Sequence, residues 1–102
     1  MYIILLRFTE NRAALARHLD AHKAWLAAGF DEGAFLAAGS IGPNVGGCVL
    51  ARGASREQVL ERVNRDPFVK EAIVSAEVLE YEPTRTSAPF RLLQDATADP
   101  SK

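Results

Sequence analysis

The order in which the chain changes its hydrophobic period constrains its fold more than any single residue does. Tyr2 to Phe8, YIILLRF, is short, apolar and rich in Ile and Leu, and reads as a largely buried strand. Thr9 and Asn11 offer N-caps to the segment that follows. Ala, Leu, Arg and Lys dominate that segment, which predicts a helix to about Ala28 with Gly29 as its C-cap. Residues 34–40 (AFLAAGS) and 47–52 (GCVLAR) read as two further strands. Between them IGPNVGG is turn chemistry, so the two strands form a hairpin. Ser55, followed three residues on by Gln58, is a capping box for a helix over 56–64 whose apolar face is Val59, Leu60 and Val63. Asp66-Pro67-Phe68 breaks that helix. AIVSAEVLEYEP then alternates as a strand, with Ile73, Ser75, Glu77, Leu79 and Tyr81 on one face and Val74, Ala76, Val78, Glu80 and Glu82 on the other. The order β-α-β-β-α-β predicts an α+β, ferredoxin-like domain: a four-stranded antiparallel sheet with both helices on one face.

That architecture assigns 1–83 to the domain and 84–102 to a C-terminal extension. The extension is rich in Thr, Ser, Ala, Asp and Pro, and its last eight residues have the composition of a disordered tail. Its APFRLL stretch has enough apolar surface to dock. Two helices cover only one face of such a sheet, while 48% of the chain is hydrophobic. The expectation is a homodimer, sheet face against sheet face. A net charge of −1 gives no electrostatic case for nucleic acid. No apolar run approaches the roughly 20 residues of a membrane span, and MYIILL is too short for a signal peptide. The expected location is cytoplasmic. The single Cys48 forbids an internal disulfide and, inside the apolar run CVLA, reads as a buried structural thiol.

Three parts of the chain together resemble the YciI-like (YCII-related) family. They are the opening strand MYIILLRF, the segment HKAWLAAGFDEGAFLAAGS, and DPF followed by AIVSAEVLEYEP. The resemblance spans about residues 1–83. It implies the dimeric α/β-barrel arrangement, in which two ferredoxin-like domains pack through their sheets. It also implies a His-Asp pair as the active site, carried here by His22 in HKAWL and Asp66 in DPF. Dehydrochlorination of a chlorinated aromatic is the chemistry associated with some relatives.

The residues themselves leave two readings open. Leu15, Leu19, His22 and Leu26 share one helix face, so His22 stands in the middle of an apolar stripe. It is either a packed histidine with a local partner or a general acid/base, for which imidazole is suited near neutral pH. Asp66 before Pro67 opens a turn, and it can also orient an imidazole and stabilise its charged form. His18 and His22 have the i, i+4 spacing of a metal pair. No third His or Cys cluster accompanies them, and Leu19 stands where a zincin motif needs Glu, so no metal and no cofactor are expected. Trp25 is a core residue or a pocket wall beside His22. Arg7 ends its strand either solvated or facing a cleft that takes an anionic group. Ser40 can donate a hydrogen bond at the sheet edge. These features point to a small cofactor-free enzyme acting on a small cyclic or aromatic molecule by lyase, isomerase or elimination chemistry, with Arg7, Trp25 and Ser40 contacting substrate. The alternative is a non-enzymatic ligand-binding or accessory dimer in which the His-Asp pair is structural. A third reading is a small subunit whose APFRLL segment docks on a partner.

Overall fold

The opening apolar run becomes an inner strand, β1 (Tyr2–Phe8), in a computed structural model that describes residues 1–95. Its neighbours are β3 (Gly46–Ala51) and β4 (Val74–Glu80), and β2 (Phe35–Ile41) lies outside β3. The sheet order is β2-β3-β1-β4 and every pairing is antiparallel. The helices are α1 (Leu15–Asp31), α2 (Arg56–Val63), a single turn α3 (Pro67–Lys70) and α4 (Leu92–Asp95), with 3₁₀ turns at Glu10–Ala14 and Ala88–Phe90. This is the α+β, ferredoxin-like arrangement that the order of periods predicts.

Register decides which side chains meet the helices. Tyr2, Ile4 and Leu6 on β1, Val49 and Ala51 on β3, and Val74 and Val78 on β4 form the sheet side of the core. Trp25 of α1, Val59 and Val63 of α2 and Phe68 of α3 close it from above. Burying Ile4 and Ile73 completely contributes about 1.5–3 kcal/mol each. The opposite face carries Ile3, Leu5 and Arg7 of β1 beside Cys48, Leu50, Glu77 and Leu79. No helix of the described chain covers it. Cys48 is accordingly half-buried rather than buried, since it stands on this uncovered face.

Local chemistry departs from expectation at three points. Thr9 is an N-cap, its Oγ1 accepting from the Asn11 N–H at 3.1 Å, but it opens the 3₁₀ turn; α1 begins only at Leu15. Asn11 is not a cap: its Nδ2 donates to the Glu71 carbonyl at 2.7 Å and ties this turn to the end of α3. Gly29 does not end α1 either. It is buried inside the helix, where a Cβ would fall 2.1 Å from the Phe35 ring. The helix stops two residues later, and Gly33 at φ +74° takes the left-handed position that follows it. The capping box at α2 forms with one change. Ser55 Oγ accepts from Gln58 N–H at 3.2 Å, and Gln58 Oε1 accepts from Ala54 N–H at 3.1 Å instead of from Ser55. The face expected to carry Ile73 also shifts. Ala72, at φ +55°, turns the chain just before β4, so Ile73 enters the core while Ser75, Glu77 and Leu79 line the uncovered face.

Candidate active site

α1 carries the stripe Leu15, Leu19, His22 and Leu26 as expected, yet its side chains are only half-buried. The reason lies across from them. The hairpin end of β2–β3 presents Ala38, Gly39, Ser40, Gly46 and Gly47, which are too small to fill the space under the helix. What remains is an open pocket of about 350 Å³ between the stripe and the sheet. Leu6, Phe8 and Val49 form its apolar floor, Phe68 a wall, and Ser40 supplies a hydroxyl. Among the described residues no Lys, Arg, Asp or Glu lines it. A pocket of this size and polarity suits a small, uncharged, largely apolar molecule.

His22 is held at the wall of this pocket from two sides. Asp66 N-caps α3 with φ −62° and ψ 125°, the extended backbone that the following Pro67 favours. In that position Oδ1 accepts from the Phe68 N–H at 3.0 Å and lies 2.7 Å from His22 Nδ1. A carboxylate oxygen has no hydrogen to give, so in this contact Nδ1–H donates and Oδ1 accepts. In the neutral imidazole the Nε2 lone pair is then free, and Nε2 makes no protein hydrogen bond among the described residues. Phe68 stacks on the ring with centroids 4.0 Å apart and planes within 3°. The His22 side chain is 13% exposed, whereas Asp66 is fully buried. The second carboxylate oxygen, Oδ2, is buried without a partner among the described residues.

The turn role of Asp66 and its contact with His22 are therefore one arrangement. The same cap that starts α3 aims Oδ1 at the ring. Asp66 is fully buried, and its partners are one backbone N–H and one imidazole. Such a carboxylate fixes the tautomer and offsets the charge of an imidazolium when one forms.

The other expected site residues fall in different places. Ser40 pairs in register with Gly47 and shares the pocket with His22. Trp25 does not line it. Trp25 is 8% exposed, donates from Nε1 to the Arg62 carbonyl at 2.9 Å and packs edge-on against Phe35. Its centroid lies 5.7 Å from that of His22, so it buttresses the ring from the core side. Arg7 is on the uncovered face of the sheet, paired with Glu77 at 2.8 Å, and the pleat directs it away from the pocket. Cys48 pairs in register with Leu5, and it is one of the residues that line the pocket beside His22. His18 is half-buried and takes no part in the pocket lining. Among the described residues no group of three or more His, Cys, Asp or Glu side chains could hold a metal ion. The residue that sequence reasoning missed is Phe68. Its signal was present in the Asp-Pro-Phe run, since a cap residue and the second residue of its helix share one hydrogen bond.

Comparison with known proteins agrees with this architecture. The family model of the YCII-related domain matches residues 1–82. Among solved structures the chain is similar to the 5-chloro-2-hydroxyhydroquinone dehydrochlorinase from Burkholderia phenoliruptrix AC1100 in complex with 2,5-dihydroxybenzoquinone. The TM-score is 0.65 at 18% sequence identity, over 80% of this chain and 94% of that one. At that identity the likeness is one of fold. No curated protein matches the chain.

Proposed function

The chain belongs to the YCII-related domain family, and from that premise we propose that it is a small cofactor-independent enzyme in which His22 moves a proton and Asp66 orients it. The observation that carries this reading is the 2.7 Å contact between His22 Nδ1 and a fully buried Asp66, in a histidine that lines an open, apolar pocket. His22 acts as general base through Nε2. It removes a proton from a hydroxyl or carbon of the substrate, the freed electron pair forms a double bond, and the leaving group departs with its own bonding pair. Asp66 stabilises the imidazolium until the proton passes on. The charge-free lining favours a neutral ring, and in this reading the Ser40 hydroxyl, which lines the pocket, hydrogen-bonds a substituent oxygen. The dehydrochlorinase of similar fold is named for a chlorinated hydroquinone and was solved with a dihydroxybenzoquinone, and molecules of that shape fit this reading.

The same proposal takes the uncovered sheet face, with Ile3, Leu5, Leu50 and Leu79, to be covered by a second copy related by two-fold symmetry. It leaves Arg7 and Trp25 outside the chemistry and assigns the protein to the cytoplasm. Among the described residues no helix is long and apolar enough to cross a membrane.

One observation favours a second reading. Asp66 would be needed as the α3 cap even if His22 did nothing, which suits a ligand-binding protein without turnover. Two measurements separate the readings. The first is thermal stabilisation by 2,5-dihydroxybenzoquinone, and the second is chloride release from a chlorinated hydroquinone. The enzyme reading expects stabilisation by the quinone and chloride release, with release lost in His22→Ala while that variant stays folded. Binding without release supports the second reading. Release that survives in His22→Ala removes His22 from the mechanism.

A further inference from the structure

We propose that the chain carries a second ligand site, for a small oxyanion-bearing molecule, centred on Arg52 at the end of the β2–β3 hairpin remote from His22. The two pockets share no lining residue. The register separates them: Ser40, Gly46 and Gly47 of the first lie by the hairpin turn, while Phe35 pairs with Ala51 at the far end. There the end of β3, the residues after α1 and one side of α2 enclose an open pocket of about 360 Å³, a volume within the usual range for small-molecule sites.

Arg52 is the feature that calls for a ligand. Its backbone N–H donates to the Ala34 carbonyl at 2.8 Å and fixes it at the strand end. Its side chain is half-buried along the pocket wall, and Nε is buried without an acceptor. Arginine cannot shed this charge by deprotonation, and no carboxylate pairs with it among the described residues; Nε is closed off, so a ligand meets the terminal nitrogens. The two acidic residues in the lining are already committed. Glu32 Oε2 accepts from Arg62 at 2.9 Å, and Glu61 is paired with Arg65. The hydrogen bond and charge of Arg62 hold the Glu32 carboxyl below its ordinary range, so that carboxylate stays ionised and engaged. Among the described residues three guanidinium groups thus line the pocket with two carboxylates, and the unmatched one is Arg52. Gln58 adds to the polarity: its Oε1 is taken by the Ala54 N–H, which leaves its amide donors for the pocket. An unpaired guanidinium fork beside amide donors is the chemistry that recognises a carboxylate or a phosphate. A ligand docked on the terminal nitrogens of Arg52 supplies the counter-charge that the protein does not.

The test is an NMR titration of ¹⁵N-labelled protein at constant ionic strength, with inorganic phosphate in one arm and benzoate in the other. We expect saturable shifts at Gly53, Gln58 and the Arg52 side chain in at least one arm, and the arm with tighter binding names the anion. Arg52→Gln should weaken binding by about tenfold or more, as loss of a charge-assisted pair does. Glu32→Gln provides a variant on an exposed side chain. It frees Arg62 and should tighten binding by several-fold. His22→Ala should leave the affinity unchanged, which keeps this site's test independent of the proposed chemistry. No saturable shift in either arm, full affinity in Arg52→Gln, or no tightening in Glu32→Gln would overturn the proposal.

Discussion

Replacing Asp66 by Ala removes two hydrogen bonds at once and strands a donor. Oδ1 is the acceptor for the Phe68 N–H and for His22 Nδ1–H, and the residue has no solvent contact. Losing the cap costs about 0.5–2 kcal/mol. Leaving His22 Nδ1–H unpaired costs about 1–3 kcal/mol, and the lower part of that range applies because water in the open pocket can reach the ring. Losing Oδ2 relieves the fold of a buried oxygen that has no partner. The net expectation for Asp66→Ala is about 2–3 kcal/mol, a fall in Tm of roughly 10–20 °C for a chain of this length. Asp66→Asn keeps the Oδ1 acceptor in place but leaves its amide N–H donors unpaired where Oδ2 lies, so it should cost about 1–2 kcal/mol, less than Ala. Yet it removes the negative charge beside His22 and should abolish most turnover. Urea denaturation of both variants, repeated in a His22→Ala background, measures the coupling between the two side chains. The expected coupling exceeds about 0.5 kcal/mol. If Ala and Asn cost the same, or if the cycle shows no coupling, Oδ1 does not hold the ring and the account of the pair is wrong.

Further tests address the packing around the site. Gly29→Ala places a Cβ 2.1 Å from the Phe35 ring, and overpacking of about 1–3 kcal/mol should outweigh the roughly 1 kcal/mol gained in helix propensity; a stabilised variant in thermal melts would refute this. Sedimentation should give twice the chain mass at micromolar concentration, and Leu79→Glu on the uncovered face should shift it to a monomer; a monomeric wild type would sink the sheet-to-sheet dimer. Phe90 and Leu92 are 57% and 58% exposed, so deleting residues 88–102 should lower Tm no more than deleting 95–102, within about 2 °C; a lower midpoint for the longer deletion would show that APFRLL docks.

Much of the architecture was legible because it rests on local pattern. β1 ends where YIILLRF ends, and Ser55 and Gln58 mark the start of α2. Misplaced features depended on contacts distant in sequence. Gly29 looked like a helix end because glycine often is one, but it is there to admit the Phe35 ring. Arg7 lies one residue from Leu6, which reaches the pocket, and strand alternation sends it to the other face. Trp25 shares a helix side with His22, yet its N–H is drawn to the Arg62 carbonyl in the core. The pairing of His22 with Asp66, 44 residues apart, was implied by resemblance alone, since no local rule joins a helix stripe to a distant turn. The tail expected to be disordered falls mostly outside the described residues, which end at 95.

The position of the pocket follows from how α1 sits on the sheet. At its C-terminal half the helix is held close: Gly29 lets it approach Phe35, and Trp25 packs edge-on against that ring at 5.0 Å while bonding to α2. At its N-terminal half the same helix carries leucines above glycine, alanine and serine, so contact is replaced by space. His22 stands at the boundary between the two halves, one turn before the anchored Trp25. It therefore has a rigid base on one side and room for a ligand on the other. A histidine in a filled core would gain nothing from small residues opposite it. Here those residues open a pocket beside His22, while the cap of α3 occupies Nδ1, and this combination favours a working acid/base over a packed side chain.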